Sequence, residues 1–183
     1  MADMNPHGYD SATITSTRLR ALLRYWTEKR GDLPMALRAQ IDPVEIPRTL
    51  SVVLLADVTP AGPRIRLLGT EATNAYGRET RGRLARDIQF GGFDVAWQEA
   101  FDQAIQSAAP VFAAGDYLRG TEPCGVETIL LPLTADGHSV SQIFGGLIIK
   151  PRNRGMMTEN KRRSFFVSGA GELDSRQAEP HRN

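Results

Sequence analysis

Residues Pro63 to Arg83, PRIRLLGTEATNAYGRETRGR, constrain the fold more than any other stretch of the chain. Ile65 and Leu67 alternate with Arg64 and Arg66, the period-two pattern of a strand with one solvated face. The run stops at Gly69-Thr70, where Thr70 is placed to cap a short helix over Glu71 to Tyr76. Gly77 suits the left-handed position that closes a helix, which a residue with a Cβ adopts only at a cost. Gly82 marks a second turn, and Leu84 and Ile88, four apart, predict one more helical turn before the Gly91-Gly92 loop. The stretch therefore reads as a strand, a tight corner, one or two helical turns and another corner.

The flanking segments fill in the order. Residues 1–15 show no periodicity and read as a flexible leader. A helix over 16–31, started by Ser16 or Thr17 and ended at Gly31, places Leu19, Leu22, Leu23 and Trp26 on one apolar face. That stripe must be covered, either by its own domain or by a second copy across a dimer seam. Pro34, Pro43 and Pro47 forbid a long helix over 32–49, although Asp42-Pro43-Val44-Glu45 has the form of a helix start one turn long. Ser51 to Val58 is almost continuously apolar and β-branched, which predicts a central strand buried on both faces. Thr59 to Pro63 turns the chain back.

Downstream, residues 94–109 form an amphipathic helix on Trp97, Ala100, Phe101, Ala104, Ile105 and Ala108, stopped by Pro110. Strands are predicted over Val111 to Leu118, Val126 to Thr134 and Val140 to Lys150, the last two joined by a hairpin at Ala135-Asp136-Gly137-His138. Gly145-Gly146 inside the last strand calls for a bulge or a close backbone neighbour. From Pro151 the chain turns polar and charged. Residues 151–183 read as a largely disordered tail in which Ser164-Phe165-Phe166-Val167 is the one segment able to dock.

Two helices, two strands, short turns and three further strands suit an α+β fold, a five-stranded antiparallel sheet with helices on one face plus the N-terminal helix. The 183 residues suffice for one domain with tails, and the formal charge of +1 gives no general reason to expect a nucleic-acid or membrane partner. No apolar run is long enough for a membrane helix, and the N-terminus lacks a signal peptide's apolar core, so the expected location is cytoplasmic. Cys124 is the single cysteine, which rules out an internal disulfide and a thiolate metal cluster. It reads as a small half-buried residue.

This order of elements, with Trp26, Leu33-Pro34, Ile41-Asp42-Pro43, the strand ending at Asp57, Arg66 before Gly69-Thr70, Gly77, Gly82 and Leu131-Pro132-Leu133, resembles a PAS domain. It is similar in particular to a family of short stand-alone bacterial PAS proteins. The resemblance covers about residues 20 to 150. It implies the strand order 2-1-5-4-3, with Ser51 to Val58 beside Val140 to Lys150, and a PAS-like domain over 32–150. The leading helix and the basic tail fall outside the part it describes.

The resemblance also implies a largely apolar pocket between sheet and long helix. Tyr76, Trp97, Phe101, Phe112, Tyr117, Leu131 and Phe144 are its candidate lining, and plain core packing is the competing account of the same residues. No cofactor is assigned. A flavin adduct needs a cysteine near Asn74 and finds none, haem needs a placed histidine, and His7, His138 and His181 are too scattered for zinc. The enzyme signatures GxSxG, HExxH and the phosphate loop are absent. An isomerase or dehydratase reading recruits Asp57, Asp116 and Tyr117, and a nucleotide- or RNA-binding reading recruits the tail cluster Arg152, Arg154, Lys161, Arg162 and Arg163. The arginines at 78, 81, 83 and 86 read as a solvated face. The leading expectation is a non-catalytic sensory or interaction module for a small molecule or a signalling partner, self-associating as a homodimer through Leu19, Leu22, Leu23 and Trp26.

Overall fold

The computed structural model describes residues 14–90, 93–152 and 166–169. The first helix, α1, spans Thr17–Arg30; Ser16 is its cap, accepting from the Leu19 N–H at 3.4 Å, and Gly31 closes it. The prolines permit only short turns after it, among them Pro43–Glu45, where the Asp42 carboxylate accepts from the Val44 N–H as the sequence pattern requires. Strands β1 (Ala36–Leu37), β2 (Val53–Thr59) and β3 (Gly62–Leu68) precede a short helix, α2 (Thr70–Tyr76). Gly69, rather than Thr70, sits at the N-cap of α2; its N–H donates to the Val53 carbonyl at 2.7 Å, and a Cβ there would collide with the Ser51 carbonyl oxygen. Gly77 takes the left-handed conformation at φ 81°. One 3₁₀ turn at Ala85–Asp87 follows, then the long helix α3 (Asp94–Ser107) and strands β4 (Val111–Arg119), β5 (Glu122–Thr134), β6 (Val140–Pro151) and β7 (Phe166–Gly169).

The strands form one seven-stranded sheet in the order β3-β2-β6-β5-β4-β7, with β1 paired parallel to the end of β5. The sheet is therefore larger than five strands and not wholly antiparallel. Chain segments outside the hairpin pattern, Ala36–Leu37 and Phe166–Gly169, supply the two added strands. The second lies in the stretch expected to be disordered, and Phe166 and Val167 belong to the segment singled out as able to dock. The remainder of the tail expectation beyond Arg152, the leader over 1–13 and the Gly91-Gly92 loop lie outside the described residues. Ile14, at the end of the expected leader, is buried.

Side chains alternate along β5 and β6, so one sheet has two apolar faces. Leu130, Ile143 and Leu147 point to the side covered by α3, with Trp97 and Phe101. Ile129, Leu131, Phe144 and Ile148 point to the other side, where α1 lays down Leu19, Leu22, Tyr25 and Trp26. The stripe of α1 is thus consumed by its own domain. Leu19 and Leu22 are fully buried and Trp26 donates from Nε1 to the Pro132 carbonyl at 2.9 Å, while Leu23 is half-buried beside the same cluster. An Arg18–Glu71 ion pair, Nη2 to Oε1 at 2.7 Å, ties α1 to α2.

Gly145 and Gly146 are close-approach positions. A Cβ on Gly146 would lie 2.7 Å from both Leu19 Cδ2 and Leu22 Cδ1, and one on Gly145 would collide with the Ile129 carbonyl oxygen. Leucine termini can yield and a paired strand's backbone cannot. Gly146→Ala is therefore expected to lower stability by about 1–3 kcal/mol, and Gly145→Ala by more, as measured by urea unfolding of the two variants side by side.

The β5–β6 hairpin turn is organised by Asp136. Its carboxylate accepts from the Ser139 N–H at 2.9 Å, the His138 N–H at 2.8 Å and the Thr134 and Ser139 hydroxyls at 3.0 Å. These donors, the Ser139 and His138 amides foremost, hold the carboxyl far below its ordinary value. The turn's contribution is present in full above the ordinary carboxylate value of about 3.9 and fades as pH falls toward the depressed native one. Wild type is expected to exceed Asp136→Asn in thermal stability at neutral pH by a margin that narrows on acidification; a margin independent of pH would contradict the assignment.

Candidate functional site

The α3-side interior, where the sequence reading puts its pocket candidates, is assembled from three elements. On α3, Ala96, Ala100 and Ala104 recur every fourth residue and are fully buried, so the helix lies close to the sheet. Trp97 and Phe101, one position along from the alanines, fill the flank, their rings 5.0 Å apart and edge to face. The loop before α3 contributes Phe90, 5.1 Å from Trp97, and Phe93, 6.0 Å from Phe90. Tyr76, the last residue of α2, stacks 5.0 Å from Phe90 and accepts at its hydroxyl from the Gln89 N–H at 3.2 Å. Trp97 Nε1 donates to the Ala85 carbonyl at 2.9 Å. Both polar atoms of these rings are therefore satisfied, and the rings have fixed orientations.

Of the seven pocket candidates, the structure brings together Tyr76, Trp97 and Phe101. Phe112, Leu131 and Phe144 do not join them: they occupy the opposite face, under α1. Strand alternation is the reason, since each stands next in sequence to a residue that faces α3. Tyr117 lies on β4 in register with Cys124. The Cys124 thiol is buried, and burial pushes its pKa up, so it stays protonated and unreactive at neutral pH. Phe90 and Phe93 escaped sequence analysis because they lie in an aperiodic segment; Tyr76 and Trp97 flank Phe90 in space.

The carboxylates recruited for an enzyme reading are not assembled. Asp57 registers with Gln142 near the start of β6, receives its amide N–H and lies 3.4 Å from the Arg66 guanidinium. Asp116 registers with Gly125, itself opposite Lys150 at the far end of β6, and pairs with Arg152 at 2.9 Å. Eight residues of strand separate the two positions, about 26 Å. A small substrate cannot touch both. Among the described residues, no group of three or more His, Cys, Asp or Glu could hold a metal ion, and no helix is long and apolar enough to cross a membrane. Arg78, Arg81, Arg83 and Arg86 are exposed, and the Glu79 carboxylate among them accepts from the Thr80 and Arg81 amides at 2.9 and 2.8 Å.

A groove of about 360 Å³ lies on the surface between α1 and residues 45–49, lined by Arg24, Tyr25, Glu28, Glu45 and Arg48. The Tyr25 hydroxyl donates to Glu45 at 2.7 Å and Lys29 pairs with the same carboxylate at 2.7 Å, which lowers the Glu45 pKa. Burial raises that of Tyr25. The pair staples the Asp42-Pro43 turn to α1, a contact across 20 residues that local pattern does not reveal.

With this geometry in hand, the chain matches the family described as PAS domain over residues 14–148. The match covers well over half of the sequence, and the protein belongs to the PAS family. It begins at residue 14, so α1 falls inside the matched stretch. Among solved structures, the chain is similar to the PAS domain of BvgS from Bordetella pertussis, at 18% sequence identity and a TM-score of 0.44, covering 61% of this chain and 85% of that one. No curated protein matches the chain.

The burial of α1 changes what an acidic residue in its stripe does. Leu22→Asp places a charge where exposure is zero. It is expected to cost at least about 3 kcal/mol through desolvation and lost packing. Denaturant unfolding should register that loss at a protein concentration where sedimentation shows no change of oligomeric state.

Proposed function

We propose that the protein is a non-catalytic sensory or interaction module that takes up a small molecule, or meets a protein partner, and relays that event by contact with another protein. PAS domains are in general modules of this kind. The observation that carries the reading is the aromatic cluster of Tyr76, Phe90, Trp97 and Phe101 between α3 and the sheet. A planar or apolar molecule entering there must part Trp97 from Phe101 and lift α3 from the sheet. The displacement has a physical route outward, because Leu130 beneath α3 and Ile129 beneath α1 are consecutive residues of one strand. Movement of β5 at one face therefore reaches Leu19 and Leu22 at the other.

A phosphate-rich ligand on the basic tail has less support. Arg152, the one member of that cluster within the described residues, is already paired with Asp116.

The chain's two tryptophans lie on opposite faces of the sheet, which makes the reading testable by fluorescence. In a Trp26→Phe variant Trp97 is the only reporter. Native mass spectrometry of freshly purified protein is expected to show a bound small molecule whose removal shifts Trp97 emission. A bare-chain mass, with Trp97 emission indifferent to added cell metabolites, would overturn the small-molecule arm and leave the protein partner.

A further inference from the structure

The groove between α1 and residues 45–49 carries three charges that the fold does not use. Arg24 and Glu28 come from α1 and Arg48 from the facing wall, and all three are exposed. None of them takes part in an ion pair among the described residues. Arg24 and Glu28 stand four residues apart, about 6 Å along the helix axis, a spacing at which opposite charges often pair. The order Arg before Glu is the weaker of the two orientations, and here the pair is not formed. The fourth charge, Glu45, is already engaged, by Lys29 at 2.7 Å and by the Tyr25 hydroxyl at 2.7 Å. The groove therefore presents two uncommitted guanidiniums and one uncommitted carboxylate.

Its walls are tied by hydrogen bonds of their own. The Tyr25 hydroxyl accepts from the Asp42 N–H at 2.9 Å, and the Ile46 N–H donates to the Pro43 carbonyl at 3.2 Å. Thr49 gives both its N–H, at 3.0 Å, and its hydroxyl, at 2.9 Å, to the Ile46 carbonyl. Pro47 has a fixed φ. Between the charges the lining is apolar, with Ala21 on α1 and Ile46 and Pro47 opposite. At about 360 Å³ the groove sits at the small end of the roughly 300–1,000 Å³ usual for small-molecule sites.

We propose that this groove binds a free α-amino acid with an apolar side chain. Arg24 and Arg48 hold its carboxylate, Glu28 its ammonium, and Ala21, Ile46 and Pro47 its side chain. A plain carboxylate would satisfy the arginines and leave Glu28 facing like charge. A plain amine would meet Glu28 but also two cations. A molecule carrying both signs on neighbouring carbons answers all three, and the planar guanidinium suits a carboxylate in particular. The site is on the α1 face of the sheet, apart from the aromatic cluster under α3. It stands whether or not that cluster takes a ligand. Because the groove opens to solvent, its charge contacts are screened and binding is weak, with Kd on the order of 1 mM.

L-leucine is the probe, titrated to about 20 mM into the full chain while backbone amide chemical shifts are followed. The controls are 4-methylpentanoate, which is leucine without its amine, and isopentylamine, which is leucine without its carboxylate. Leucine is expected to give saturable shifts at residues 21–28 and 45–49, and each control to bind about three- to tenfold more weakly. Arg48→Gln and Glu28→Gln, both at exposed positions, should weaken leucine binding by a similar factor. Glu28→Gln should also narrow the preference for leucine over 4-methylpentanoate, since the group that reads the ammonium is then neutral. No shift in the groove, equal binding of 4-methylpentanoate, or leucine binding unchanged in either variant would each overturn the proposal. Shifts centred on residues 94–107 would overturn it as well, while supporting a ligand in the α3-side interior.

Discussion

The structure depends on the pairing of β5 with β6, the longest ladder in the sheet, because both strands are apolar on both faces. A ladder with two apolar faces needs cover on each side, and the chain has two helices of fourteen residues to supply it. α3 takes one face with alanines that admit it closely and aromatics that fill the margin. α1 takes the other, and Gly146 gives it room. Removing either helix would leave a sheet of Leu, Ile and Phe open to water, at about 25 cal/mol for each Å² exposed. The N-terminal helix is therefore part of the domain and not an appendage to it.

That arrangement also defines how a PAS module of this form could signal. On the proposed reading a ligand acts in the α3-side interior, and α1, on the far side of the sheet, is joined to that interior by consecutive residues of β5. Among the described residues the sheet lies between them. The groove beside α1 and the Arg18–Glu71 pair place charged groups where a shift of the helix would be felt at the surface.

The edges of the sheet are treated differently. On the β3 side, Ile65 exchanges hydrogen bonds with Arg83 and Gly82, so residues 82–83 close that edge. On the β4 side a segment remote in sequence does so. An unpaired edge invites pairing with another chain, and a chain that closes one edge with a local turn and the other with a distant strand has made the second dependent on long-range contact.

Local pattern was enough for much of this. The alternation at Arg64 to Leu68, the helix end at Gly77, the one-turn helix after Asp42-Pro43, the hairpin at Asp136-Gly137 and the long helix before Pro110 are all written in residues a few positions apart, where backbone sterics and hydrogen bonding act. The candidate site was half legible. Trp97 and Phe101 follow from helical spacing, but Phe90 and Phe93 lie in an aperiodic loop, and the face on which Phe112, Leu131 and Phe144 lie depends on strand phase. Whether α1 would cover its own sheet or a neighbour's could not be read from its stripe, since an apolar helix face is the same for either purpose. The sequence by itself determined the main helices and the five strands of the hairpin pattern, though not the strands at Ala36–Leu37 and Phe166–Gly169, and that the chain belongs with PAS domains. Only the tertiary structure decided which face each side chain serves, because that choice is made by contacts such as Trp26 with Pro132 and Leu19 with Gly146, across more than a hundred residues of chain.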